Sequence, residues 1–228
     1  MTLWRGEVKV CGLTQIDEAA ACAACGVNAI GMVFYPPSPR NITMDRAKDI
    51  CRELPAPIAR VGVFVNESFT HILKTVAYCG LTAVQLHGQE TPELVSIIQN
   101  EGICVIKALF THAAPSIDDA DRYPDTPFLV ECGKGRLPGG NAMTWNWREV
   151  RTFGQQHPLI LAGGLSADTI ATAIAEASPD AVDVSSGVES CPGRKDIQKV
   201  RDFMRAVSMC TVEKASIRRI WQPASHGH

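Results

Sequence analysis

Short apolar, β-branched runs alternate along the chain with longer amphipathic stretches. The runs are Val8–Cys11, Ala29–Phe34, Arg60–Val65, Ala83–Leu86, Val105–Leu109, Phe128–Val130, Leu159–Leu161 and Ala181–Val184. They are nearly continuous in apolar residues, as parallel strands covered by helices should be. Between them the pattern predicts helices over Gln15–Cys25, Met44–Glu53, Ser68–Cys79, Pro92–Glu101, Pro115–Arg122, Trp147–Gln156, Ala167–Ala177 and Asp196–Val207. Start signals support several of them: Thr14 before Asp17, Thr43 before Arg46, and Thr91-Pro92-Glu93. Such alternation demands a parallel sheet with right-handed crossovers. Eight units close naturally into a (β/α)8 barrel, an α/β fold of the TIM type. The competitor is an open, doubly wound sheet. That fold usually carries a glycine-rich dinucleotide turn after its first strand, and here the turn reads Cys11-Gly12-Leu13-Thr14. The expectation is one barrel domain over residues 1–207. Residues 208–228 fall outside the repeat and read as a flexible C-terminal tail, in which His226 and His228 are more simply a frayed end than a metal or partner site.

Composition narrows the class. The 228 residues carry 22 basic and 24 acidic side chains, with 46% apolar and 20% charged residues. That is an ordinary globular balance, without the basic field that attracts nucleic acid or an acidic membrane surface. No apolar run is long enough to span a membrane, and no secretory signal is visible at the N-terminus. Nine scattered cysteines, an odd number, argue for reduced thiols in the cytoplasm. Cys22-Ala-Ala-Cys25 has redox or zinc spacing but no answering pair, and it falls within a predicted helix. These thiols read as small buried hydrophobes. Cys11 is the exception, because of where it stands.

In a barrel, chemistry sits at the C-terminal ends of the strands. Those ends carry Cys11, the loop Tyr35-Pro36-Pro37-Ser38-Pro39-Arg40, Asn66, Gln85-Leu86-His87-Gly88, Lys107 on strand 5, Glu131, Gly163-Gly164-Leu165-Ser166, and Asp183-Val184-Ser185-Ser186-Gly187. Gly163 and Gly164 lie just before a helix, where bare backbone can approach an anion and Ser166 can cap. Ser185, Ser186 and Gly187 add hydroxyls and more bare backbone. Barrel phosphate sites are typically built after strands 7 and 8, so position and chemistry agree. Cys11 and Glu131 form the candidate acid–base pair. A thiol becomes a nucleophile or base when nearby positive charge lowers its pKa, and a carboxyl donates a proton when its pocket raises its own. Arg40 can hold a substrate carboxylate by its planar fork. His87 serves either as a base or as a hydrogen-bond donor. The substrate-binding set is therefore Arg40, His87, Gly163, Gly164, Asp183, Ser185, Ser186 and Gly187.

No nucleotide-binding P-loop, zincin pair, nucleophile elbow or metal-spaced cluster is present in the sequence. The expected enzyme uses no cofactor and no metal.

The chain resembles the phosphoribosylanthranilate isomerases of tryptophan biosynthesis. The resemblance rests on Val8-Lys9-Val10-Cys11-Gly12-Leu13-Thr14, on Gly31 to Arg40, on Arg60 to Asn66, on Val84-Gln85-Leu86-His87-Gly88, on Ala162-Gly163-Gly164-Leu165, and on Ala181 to Glu189. It runs from about Val8 to Val207. It implies an Amadori rearrangement of N-(5-phosphoribosyl)anthranilate, with Cys11 as base, Glu131 in the place of the family's aspartic acid, Arg40 on the anthranilate carboxylate, and the last two loops on phosphate. It also implies a small phosphorylated sugar substrate bearing an anthranilate group, and a monomer or homodimer.

The departures cluster between Glu131 and Trp147. There the family usually has Asp, then Gly-Gly-Ser/Thr-Gly and Phe-Asp-Trp. Glutamate adds a methylene at the acid, and Ala142 replaces a glycine. The alternative expectation is a diverged member that acts on a related aminoaldose phosphate, or that binds a sugar phosphate or partner without turnover.

Overall fold

The computed structural model describes residues 2–133, 144–214 and 216–221. The expectations resting on Ala142, His226 and His228 lie outside the described residues. Eight parallel strands close into a barrel in chain order: β1 (Glu7–Cys11), β2 (Ala29–Phe34), β3 (Ala59–Phe64), β4 (Ala83–Leu86), β5 (Cys104–Phe110), β6 (Phe128–Glu131), β7 (Leu159–Ala162) and β8 (Ala181–Val184). Closure runs through β1 and β8, where Lys9 pairs in register with Asp183 and Val10 with Val184. An open sheet is thereby excluded.

Alternation along each strand sorts the core into two layers. Val8, Val10, Ile30 and Met32 join the cluster beneath the helices. Ala29, Val61, Ile106, Ala108, Leu129 and Ile160 form a separate cluster in the barrel interior. Lys9 and Cys11 alternate with Val8 and Val10, so they share the interior face. Lys107 alternates with Ile106 and Ala108 and points the other way. Its Nζ is buried against the carbonyls of Leu86, Gly88 and Ala108 and lies 3.1 Å from Glu90. It is part of the wall rather than a rim residue.

The helices are α1 (Ile16–Ala24), α2 (Met44–Glu53), α3 (Phe69–Cys79), α4 (Pro92–Asn100), α5 (Arg151–Gln156), α6 (Ile170–Ala177) and α7 (Ile197–Ser208). Thr43, Ser68, Thr91 and Asp196 cap α2, α3, α4 and α7 through their side-chain oxygens. Thr14 does not cap α1. Its hydroxyl instead donates to the Gly193 carbonyl at 2.7 Å, a tie to the hairpin that follows β8. The stretch predicted as a helix over Pro115–Arg122 is a 3-10 turn, Ile117–Arg122, held by a Ser116 capping box.

The C-terminal segment is not loose through the described residues. Thr211–Val212 pairs antiparallel with Thr2–Leu3. Lys214 and Arg218 both reach the buried carboxylate of Asp180. Ile220, 2% exposed, joins the interior cluster alongside Ala29, Ala59 and Ala181, and its N–H donates to Glu7 at 2.6 Å. These residues plug the N-terminal mouth, opposite the strand ends that carry the candidate site. The sequence does not signal the plug, because the tail's apolar residues, among them Val212, Ile217, Ile220 and Trp221, are scattered between charged ones and fall outside the strand–helix repeat.

Of the nine cysteines none is paired, yet Cys191 is exposed and Cys25 only half-buried, so not all are core filler.

Candidate active site

A cleft of about 800 Å³, including its open mouth, occupies the C-terminal end of the barrel. Cys11, Arg40, His87, Glu131, Gly163, Gly164, Asp183, Ser185 and Ser186 all line it. The interior-facing parity of the strands explains why residues so distant in sequence converge: each strand delivers its last inward side chain to the same mouth.

Cys11 ends β1, opposite Gly31 in register. A methyl on Gly31 would sit 2.7 Å from Cys11 Sγ and 3.0 Å from Lys9 Cε, so the missing side chain is what seats the thiol. Burial pushes the thiol's pKa up, and the Lys9 ammonium works against that. Lys9, fully buried one layer below, pairs with Asp183 at 3.0 Å. Burial likewise raises the Asp183 carboxyl against the pull of Lys9.

Glu131 ends β6 on the opposite side. His87 Nε2 lies 3.3 Å from its Oε1, and Gln85 Nε2 is 2.9 Å from His87 Nδ1. The Gln85 amide and the Glu131 carboxyl thus hold the imidazole from its two ring nitrogens. Phe110 packs edge-on against the imidazole at 5.8 Å and stiffens it.

Arg40 is not a free fork. Its Nε and Nη2 donate to both oxygens of Glu189 at 2.8 and 2.7 Å, and Lys195 Nζ adds 2.7 Å to the same carboxylate. Burial alone would raise the Glu189 pKa, but the two cations outweigh it and hold the carboxyl below its ordinary value. Among the described residues Arg40 Nη1 has no protein acceptor, which leaves one edge of the guanidinium for a ligand. Gly12, at φ +81°, makes room: a Cβ there would lie 2.5 Å from Arg40 Cδ.

The two loops after β7 and β8 meet at close range. A Cβ on Gly187 would fall 1.9 Å from the Leu165 carbonyl oxygen. Gly187 is therefore the contact point between the loops and does not itself line the cleft. Gly163 and Gly164 take φ of +87° and +71°, a region that side chains disfavour. Ser166 is not a cap, because α6 starts only at Ile170; its N–H is bound by Thr169 Oγ1, which itself donates to the Gly164 carbonyl. Among the described residues no acceptor takes the N–H of Gly164 or Leu165. Ser185 donates to the Cys11 carbonyl at 3.0 Å, linking this wall to the thiol. Bare N–H groups and hydroxyls on one wall suit a phosphate.

Lys9, Gln85, Glu189 and Lys195 were not predicted as site residues. Lys9 and Gln85 stand two positions before Cys11 and His87, so strand alternation was the signal that would have found them. Glu189 and Lys195 carried no local signal.

A model of the family described as N-(5'phosphoribosyl)anthranilate (PRA) isomerase matches residues 8–206. The N-(5'-phosphoribosyl)anthranilate isomerase of Desulfatibacillum aliphaticivorans is 45% identical over 207 residues, 91% of this chain and 95% of its own. That of Syntrophus aciditrophicus is 40% identical over 201 residues, 88% of this chain and 86% of its own. The crystal structure of phosphoribosyl anthranilate isomerase from Thermotoga maritima superposes with a TM-score of 0.82 at 38% identity, covering 89% of this chain and 98% of its own. A crystal structure of the enzyme in complex with reduced 1-(o-carboxyphenylamino)-1-deoxyribulose 5-phosphate gives a TM-score of 0.79 at 37% identity, covering 89% and 98%. The chain belongs to the N-(5'-phosphoribosyl)anthranilate isomerase family.

Proposed function

We propose that this chain catalyses the Amadori rearrangement of N-(5-phosphoribosyl)anthranilate to 1-(2-carboxyphenylamino)-1-deoxyribulose 5-phosphate, a step of tryptophan biosynthesis. The observation that carries the reading is the single cleft in which a thiol and a carboxyl face a glycine- and serine-built anion wall. The loops of Gly163, Gly164, Ser185 and Ser186 hold the phosphate. The free edge of Arg40 takes the anthranilate carboxylate, and Glu189 and Lys195 fix its orientation. Asp183 faces the sugar hydroxyls.

Glu131 acts as the acid and gives a proton to the furanose ring oxygen. The C1–O bond breaks as the nitrogen lone pair forms the iminium. The Cys11 thiolate then removes the proton from C2, and the electron pair moves to make the C1–C2 double bond as the iminium is neutralised. Reprotonation at C1 and loss of the C2 hydroxyl proton yield the ketone. Apart from the C1–O cleavage every step moves a proton, and the two groups assigned as base and acid line the same cleft.

The protein acts in the cytoplasm, where its thiols stay reduced, as a monomer or homodimer; a relative from Thermotoga maritima is described as dimeric. Complementation of a tryptophan auxotroph lacking the isomerase tests the proposal. Growth without tryptophan supports it, and failure of a well-expressed protein to restore growth counts against it.

A further inference from the structure

Burying an ammonium in a barrel interior is costly even when it is paired, and an apolar side chain would fill the same space at less cost. Barrel packing therefore does not account for Lys9, whose side chain is 0% exposed. Two observations tie it to the base instead. Lys9 Cε and Cys11 Sγ converge over Gly31, which has no side chain to separate them. Apart from the Asp183 ion pair, Lys9 Nζ has no hydrogen-bond acceptor among the described residues, and Asp183 Oδ1 is likewise unbonded.

We infer that Lys9 is a positioning residue for the isomerase, a buried positive charge that favours the thiolate of Cys11 while Asp183 balances it. The inference rests on the reading of Cys11 as the base. Four charged groups face that thiol: Lys9 from its own strand, Asp183 from β8, Lys195 from the hairpin after β8, and Arg40 from the loop after β2. Arg40 and Lys195 are both committed to Glu189. Lys9 has only Asp183, which His87 and Lys195 also influence. Burial raises the thiol most; Lys9 is the largest influence lowering it, and Asp183 acts in the opposite sense to Lys9.

The test is alkylation of Cys11 by iodoacetamide in the full chain, read by mass spectrometry of the Cys11 peptide at pH 8.5, with exposed Cys191 replaced by Ser. Lys9→Met should slow alkylation roughly tenfold or more, and kcat should fall with KM near the parent value. Asp183→Asn should speed alkylation. Wild-type alkylation in Lys9→Met, in a protein with parental circular dichroism that still binds the reduced product analogue, would overturn the inference. If Lys9→Met does not fold, Asp183→Asn decides, and unchanged or slower alkylation overturns it. Retained turnover in Cys11→Ala is a separate outcome: it removes the base assignment and leaves the alkylation result standing.

Discussion

His87 and Glu131 meet across the barrel mouth, Nε2 3.3 Å from Oε1, although 44 positions separate them in the chain. The contact gives the glutamate a fixed direction, supported from behind by Gln85. Glu131→Gln keeps the shape and removes the transferable proton. We expect kcat to fall by about 10²–10⁴ with KM little changed. His87→Ala leaves the acid in place without its support, and a smaller loss is expected. Steady-state kinetics on both variants check the order.

Gly31 seats the thiol. In Gly31→Ala the new methyl would lie 2.7 Å from Cys11 Sγ, 3.0 Å from Lys9 Cε and 3.1 Å from the Cys11 Cα, so the thiol must shift and the neighbouring strand give by a few tenths of an ångström. The fold should survive while the thiol moves by about 1 Å, costing roughly a hundredfold in kcat. Parental circular dichroism with impaired turnover is the expected pair of results. Parental kcat would show that the thiol's position is not limiting.

Gly187 joins the two loops proposed to hold the phosphate, by its close approach to the Leu165 carbonyl. Gly187→Ala forces backbone apart, so it should weaken inorganic phosphate binding and raise KM roughly tenfold or more. Calorimetric titration of phosphate into the variant measures this directly.

Glu189 supplies a pH dependence. Its folded pKa is depressed by Arg40 and Lys195, so its stabilising contribution is present above the ordinary carboxylate pKa and is lost as pH falls through the lower folded value. Thermal melts below about pH 4.5 should show stability dropping in the parent, with a shallower drop in Glu189→Gln. Equal slopes would mean the cluster does not couple to folding.

At the other mouth, Ile220→Ala empties a buried site among the first residues of the strands. We expect a loss of about 2–4 kcal/mol in unfolding free energy, with kcat unchanged because the cleft lies at the opposite end. Urea denaturation and activity assays on one preparation separate the two effects.

The barrel was legible because strands such as Ala29–Phe34, Ala83–Leu86 and Ala181–Val184 are short, apolar and regularly spaced, and their boundaries agree with the structure. That Cys11, Glu131 and the glycine loops line one cleft was legible because the barrel gathers its strand ends at one mouth. What stayed hidden depended on long-range partners. Arg40 reads as a free fork until Glu189, 149 positions on, folds against it. Lys107 reads as a rim residue until strand parity turns it outward to Glu90. Thr14 has the chemistry of a cap, yet its hydroxyl is claimed by Gly193.

Turnover of freshly generated N-(5-phosphoribosyl)anthranilate by the full chain, measured beside Cys11→Ala, tests the account at its centre. We predict product formation by the parent, and a loss of at least about a hundredfold in Cys11→Ala with product-analogue binding retained. No product from the parent at high enzyme concentration, despite ligand binding, would contradict it, and so would unchanged turnover in Cys11→Ala.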